Sequence, residues 1–281
     1  MKHIHLNLKR FDILPEFGGV NHLVNPKEWG SFIIENLNDL ISSLGKLEQD
    51  VNFTVYLPEV HLLGALGAQN EYLSIGCQSI YREDTSIGGN FGAYTTHRTG
   101  NSMKQIGVTA TIIGHLEERL DKKGVLANAG VSDFSSIDKL LNKELLSAQN
   151  AGLNILYCVG ETLEQRHEWK TILKKQLDLG LENVELSNVT IAYEPVWAIG
   201  PGKIPPTTTE VKEVVQYIKK LYPELSVIYG GGLKLDNVQS LAEITELDGG
   251  LIALTRFTEE IGFYPDEYIE IVRLFLKNAK E

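Results

Sequence analysis

Cysteine is nearly absent: of 281 residues only Cys77 and Cys158 are cysteine. Two thiols are too few for a disulfide framework, and neither belongs to a C-x-x-C pair, which argues against structural zinc and thioredoxin-type redox chemistry. Both read as reduced thiols in the core. Long apolar runs are missing as well. None approaches the ~20 residues of a membrane span, and the opening Met1-Lys2-His3-Ile4-His5-Leu6-Asn7 lacks the apolar centre of a signal peptide. A cytoplasmic protein without membrane contact is expected. Basic charge is short too. The 26 Lys and Arg face 37 Asp and Glu, a formal charge of -11, so there is no global positive field for nucleic acid or an anionic membrane surface. An anionic ligand would have to be met by local donors. No Gly/Ser-rich or Pro-rich linker and no shift in composition divides the chain, so a single domain over residues 1–281 is expected.

What is present is a repeat of β-rich runs, each followed by helical periodicity or helix-start signals. The runs cover 4–8, 53–57, 73–78, 109–114, 154–159, 189–193, 226–229 and 250–254. Strings such as Ala110-Thr111-Ile112-Ile113 and Val227-Ile228-Tyr229 are apolar at consecutive positions, as in parallel strands buried on both faces. One helix is predicted to start with Asn25 as N-cap and Pro26 as its first residue, and to carry Ile33, Ile34, Leu37, Leu40, Ile41 and Leu44. A second starts at Thr207-Thr208-Thr209-Glu210 and ends before Pro223, and a third spans 266–280. The alternation predicts an α/β fold, a closed eight-stranded parallel (β/α)8 barrel, in preference to an open doubly wound sheet. Catalytic groups of such a barrel lie where strands end and the following loops begin.

Four strand ends carry polar groups of chemical interest. The first ends in Asn7-Leu8-Lys9, with Asn7 and Lys9 on one side by alternation, although an isolated N-x-K reads far more readily as a solvated lysine. The fourth runs into Gly114-His115-Leu116-Glu117-Glu118, placing His115 at a helix N-terminus, where the partial positive charge disfavours imidazolium. A neutral ring there can donate to a carbonyl oxygen; alone, it also reads as a structural histidine. The sixth runs through Tyr193 into Glu194, beside an apolar loop in which desolvation would move a carboxyl toward general-base range. That loop holds Gly200 and Gly202 among prolines at 195, 201, 205 and 206, the build of a lid that closes over a substrate. The seventh ends in Gly230-Gly231-Gly232, where backbone N–H groups can approach a phosphate, aided by a following helix N-terminus.

Taken in order, Asn7-Leu8-Lys9, Ile113-Gly114-His115 with Glu117, Cys158-Val159-Gly160-Glu161-Thr162, Tyr193-Glu194-Pro195-Val196-Trp197-Ala198-Ile199-Gly200 with Gly202-Lys203, and Tyr229-Gly230-Gly231 resemble the triosephosphate isomerase family along nearly the whole chain. The Y-E-P-V-W-A-I-G string is the most specific of these. The resemblance implies a TIM barrel that needs no cofactor and acts on a small phosphorylated sugar. It implies Glu194 as the base that shuttles protons between two carbons and His115 as the neutral electrophile, roles well established for this family. It implies Lys9 for electrostatic hold, Asn7 for orientation and the backbone N–H of Gly200 for the phosphate, beside the strand-seven glycines read above. A homodimer is also implied, with Thr95 reaching the partner's site.

Several positions depart from the family. Where paired glycines follow strand eight, this chain has Ala253-Leu254, with Arg256 close by as a charged fork that could compensate or, equally, as a surface arginine. Leu116 and Gly232 replace serines and Glu118 replaces an arginine, while extra length lies near the N-terminus and after strand three. The proton-transfer pair is kept and the surroundings of the substrate's ends are altered. Three functions are therefore carried. One is interconversion of dihydroxyacetone phosphate and glyceraldehyde 3-phosphate. Another is the same chemistry on a four-carbon ketose phosphate, since the stretch at 88–96 resembles erythrulose-phosphate isomerases. The third is a non-catalytic barrel that binds a phosphorylated ligand. Other motifs fail: Gly200-Pro201-Gly202-Lys203 is no P-loop, because Ile204 follows the lysine, and His3 with His5 lacks a third metal ligand.

Overall fold

The computed structural model describes residues 1–200 and 202–279. Strands and helices alternate as β1 (Lys2–Asn7), α1 (Trp29–Ser42), β2 (Val51–Leu57), α2 (Leu62–Ala68), β3 (Leu73–Cys77), α3 (Gly100–Ile106), β4 (Ala110–Ile113), α4 (Leu116–Asn128) and α5 (Ser135–Asn150), then β5 (Asn154–Val159), α6 (Trp169–Gly180), β6 (Val189–Tyr193), α7 (Thr208–Leu221), β7 (Ser226–Tyr229), α8 (Val238–Ala242), β8 (Gly249–Ile252) and α9 (Pro265–Asn278). The eight strands follow one another in chain order around a closed barrel, and the paired registers are parallel. This is the (β/α)8 architecture expected from the sequence. Consecutive burial explains why the strands read as apolar runs: every residue of β4 and the last four of β1 are buried, so both faces are covered.

The chain packs as two compact units, one formed by residues 1–78 together with those from Ile228 onward, the other by residues 79–227. In the first, Leu6 lies beside Ile252 and Tyr229 beside Gly250, so β1, β7 and β8 finish at one edge. In the second, Ile113 lies beside Tyr157 and Val159 beside Tyr193, so β4, β5 and β6 also finish together. Cys77 and Cys158 are buried free thiols. Among the described residues no helix is long and apolar enough to cross a membrane.

Two helix boundaries depart from the sequence reading. Asn25 does not cap α1; its side-chain oxygen accepts the Lys27 N–H at 3.0 Å and its carbonyl the Glu28 N–H at 3.0 Å. This local turn consumes Pro26 and delays the helix to Trp29, because an Asn that bonds its own backbone competes with helix initiation. The last helix begins at Pro265, and Lys280, its expected end, lies outside the described residues, as does Pro201. The start of α7 is as expected. The Thr207 hydroxyl accepts the Glu210 N–H at 3.2 Å while the Glu210 carboxylate accepts the Thr207 N–H at 2.8 Å, a reciprocal cap. Replacing Thr207 with Ala should cost about 1 kcal/mol of stability in urea unfolding; an unchanged midpoint would mean that the cap contributes nothing.

Candidate active site

The second unit carries Glu194 and His115, the candidate acid–base pair. Glu194 follows directly on β6, where its N–H donates to Val159 O at 2.8 Å. Its carboxylate is 3% exposed, and a charge so placed needs compensation. The Leu116 N–H supplies it, donating to Glu194 Oε2 at 3.0 Å. The loss of the family's serine hydroxyl at position 116 thus leaves the carboxylate hydrogen-bonded through backbone. His115 caps α4: its Nδ1 accepts the Glu117 N–H at 3.3 Å and its Nε2 lies 3.4 Å from Glu194 Oε1. Because an accepting Nδ1 carries no proton, the hydrogen-bond pattern assigns the ring hydrogen to Nε2, which faces the glutamate. A donor and a carboxylate base therefore share one spot.

Three buried clusters hold this pair, and local sequence patterns do not reveal them. The first clamps the Gly114 peptide. Glu118 Oε2 accepts its N–H at 2.6 Å, and Arg119 Nε donates to its carbonyl at 2.9 Å while also binding Asp138 at 2.7 Å and the Cys158 carbonyl at 3.0 Å. Glu118, which stands where the family has arginine, is in turn held by Lys122 at 2.7 Å, and Lys122 reaches Glu144 at 3.0 Å. The second cluster is at Gly160. A β-carbon here would meet the Glu194 carbonyl oxygen at 1.8 Å, so glycine is required for the close approach. The Gln176 side chain brackets this peptide, accepting the Gly160 N–H at 2.9 Å and donating to its carbonyl at 2.8 Å.

The third cluster grips both ends of the segment that follows Glu194. Glu161 Oε1 accepts from Trp197 Nε1 at 2.9 Å, from Arg166 at 2.9 Å and from the Tyr193 hydroxyl at 3.1 Å. Burial raises the Glu161 carboxyl above its ordinary range even against these donors. Arg166 also binds Glu210 at 2.9 Å, the residue that caps α7. Trp197 near the start and Glu210 beyond the end are thus tied through one arginine. Between them Gly200 and Gly202 hold positive φ of 120° and 72°.

The first unit carries the candidate anion-binding groups. Lys9 follows β1 with φ of 42°, a strained value for a side-chain-bearing residue. Asn7 Oδ1 accepts the Lys9 N–H at 3.1 Å, and Gln78 Nε2 donates to the Lys9 carbonyl at 3.1 Å and to Asn7 Oδ1 at 3.2 Å. Gln78, at the end of the third β-rich run, is thus a positioning residue for the strained turn. After β7, Gly231 has no room for a β-carbon, which would meet the Tyr229 hydroxyl at 2.3 Å, and Gly232 has φ of 92°. The expected help from a helix N-terminus is corrected: α8 starts only at Val238, and a turn capped by Asn237 intervenes. Arg256 is occupied, with Nε 2.8 Å from Glu267 and the guanidinium 3.8 Å from the Tyr264 ring centre. His5 bonds the Tyr56 hydroxyl at 3.0 Å, and burial, reinforced by His3, pushes its pKa down to about 3. Among the described residues no group of three or more His, Cys, Asp or Glu could hold a metal ion.

Thr95 is exposed on the segment between β3 and α3, which is internally bonded: Tyr81 stacks on His97 at 3.8 Å and Asp84 accepts the Asn101 N–H at 2.7 Å. Ile87 and Phe91 on the same segment are almost wholly bare.

A parallel eight-stranded barrel with a buried glutamate after β6 facing a histidine after β4 is the equipment of an aldose–ketose isomerase, and the chain is an enzyme of that class. The family model described as Triosephosphate isomerase matches residues 24–263. Triosephosphate isomerase of Prochlorococcus marinus (strain MIT 9301) is 35% identical over 186 residues, covering 65% of this chain and 69% of that protein. The protein of the same name from Leptospira interrogans serovar copenhageni is 31% identical over 239 residues, covering 79% of this chain and 86% of its own. The chain belongs to the triosephosphate isomerase family. Asn7 and Lys9 precede the matched segment.

The Glu118–Lys122–Glu144 cluster predicts a pH dependence of stability. Burial, then Glu118 beside it, pushes the Glu144 carboxyl up from 4.5 to about 9. Burial opposes ionisation of Glu118 too, but its hydrogen bond with Glu144 and the Lys122 ammonium hold it below its ordinary value. The folded chain therefore keeps a proton on Glu144 that the unfolded chain releases above pH 4.5, so stability falls as pH rises from there toward 9. Glu144→Gln removes that titration. Urea unfolding at intermediate pH and at the alkaline end should show a smaller loss for the variant than for the parent; equal losses would refute the assignment.

Proposed function

We propose that this isomerase works as a single barrel domain that interconverts dihydroxyacetone phosphate and glyceraldehyde 3-phosphate through an enediolate. The supporting observation is the buried Glu194 carboxylate 3.4 Å from His115 Nε2. Glu194 removes the proton from the carbon beside the carbonyl while His115 donates its Nε2 hydrogen bond to the carbonyl oxygen. The enediolate is resolved when Glu194 returns the proton to the neighbouring carbon while the hydroxyl proton passes from one oxygen to the other by way of His115 Nε2. Lys9 offsets the negative charge that develops, and Asn7 orients the substrate. Gly200, Gly230, Gly231 and Gly232 serve the phosphate, and the segment tied at Trp197 and Glu210 acts as the lid that excludes water.

A second reading keeps the chemistry and changes the substrate to a four-carbon ketose phosphate. Ala253 and Leu254, in place of the family's glycine pair, and the 20-odd residues between β3 and α3 support it. We further propose a cytoplasmic, glycolytic homodimer in which Thr95 reaches the partner's site. Bare Ile87 and Phe91 beside it support that assembly, since large apolar side chains left in water mark contact surfaces.

Glu194→Gln should lower kcat by at least ~10²–10⁴-fold, the range of general-base catalysis, in a coupled assay with either substrate. Near-normal turnover would remove Glu194 from its role. A kcat/KM for erythrulose phosphate well above that for the triose phosphates would decide for the second reading. Phe91→Asp should shift the sedimentation coefficient from dimer to monomer, and a monomeric parent protein would contradict the assembly.

A further inference from the structure

In this strongly acidic chain the β-carbons of Ala253 and Leu254 crowd the backbone N–H groups after β8, Gly232 lacks the hydroxyl of the family's serine after β7, and Arg256 is spent on Glu267. Lys234 stands beside both positions. A β-carbon placed on Gly232 would have Lys234 Cε as its near neighbour, at 3.9 Å, so the lysine stem lies against the space the family's serine would fill. Its ammonium is 4.1 Å from the ring centre of Phe257, on the segment that follows β8, so the side chain bridges the two loops. The backbone beneath it is fixed. Asn237 Oδ1 accepts the Lys234 N–H at 2.9 Å, Asn237 Nδ2 donates to the Gly232 carbonyl at 3.1 Å, and the Leu233 N–H donates to Leu251 O at 3.0 Å. Among the described residues no carboxylate pairs with the Lys234 ammonium. The N–H groups of Gly231 and Gly232 likewise have no protein acceptor among those residues.

We propose that Lys234 is the charged anchor for the phosphate of the substrate, compensating for the absent serine hydroxyl and for the crowded backbone after β8. Phe257 holds the side chain by a cation–π contact that leaves the ammonium's N–H donors available. An ammonium is a compact point charge on a flexible stem, so it reaches a phosphate that the β-carbons of Ala253 and Leu254 keep away from the backbone. The proposal rests on the sugar-phosphate reading above for the identity of the ligand, but the anion site can be tested without it.

The test combines binding of inorganic phosphate to the intact protein, followed by calorimetry, with kinetics on glyceraldehyde 3-phosphate and on unphosphorylated glyceraldehyde. Lys234→Met should weaken phosphate binding and raise KM for the sugar phosphate by about tenfold or more, the worth of one charge-assisted contact. Turnover of glyceraldehyde should stay unchanged, and Lys234→Arg should recover most of the phosphate affinity. An unchanged phosphate affinity in Lys234→Met overturns the proposal, as does an equal loss with both substrates or a parent protein that binds no phosphate. Should the parent bind phosphate through Lys234 yet isomerise no sugar phosphate, the anion site stands and the isomerase substrate falls.

Discussion

A carboxylate in a dry site must be held without being neutralised, and that requirement organises the second unit. Glu194 is almost fully enclosed, and a strong ion pair would satisfy it at the expense of its basicity. The structure sets the Leu116 N–H against one of its oxygens and His115 Nε2 opposite the other. Both contacts depend on the turn between β4 and α4. Any slip of the Gly114 peptide would move the Leu116 N–H and the His115 ring together. That explains why this peptide is gripped at both its N–H and its carbonyl, by Glu118 and Arg119.

The same logic reaches outward through the other buried polar groups. Gly160 allows the Glu194 backbone to approach β5 at a distance no side chain would permit, and Gln176 saturates that peptide on both sides. Glu161, Arg166 and Glu210 connect the two ends of the following segment, so its middle alone is left to the glycines at 200 and 202. In the first unit, strain at Lys9 is offset by Asn7 and Gln78. Each device fixes backbone, and the reacting side chains follow from it.

Much of this was legible in the chain. Parallel strands buried on both faces must be apolar at consecutive positions, so the eight runs appeared at nearly their true places, and Glu194, His115 and Lys9 were visible as polar residues at strand ends. The start of α1 was misplaced because Asn25 bonds within its own turn, which competes with capping on the same residue types. Gln78 and Gln176 left no local trace, since they bond peptides distant along the chain, and Glu144 left none because its side-chain partner Lys122 sits on another helix. Arg256 looked like an unspent fork, but Glu267, eleven residues later on α9, occupies it. Lys234 carries no signal in the sequence, because its contact with Phe257 joins two loops more than twenty residues apart.

The central claim is that Glu194 carries a proton from one carbon to the next, and hydrogen exchange with solvent measures this directly. Isomerisation of dihydroxyacetone phosphate in D₂O, followed by proton NMR of the product, should place deuterium on the carbon next to the carbonyl, because the carboxyl proton exchanges during the lifetime of the intermediate. Product free of deuterium, formed at full rate by the Glu194→Gln variant, would contradict the account.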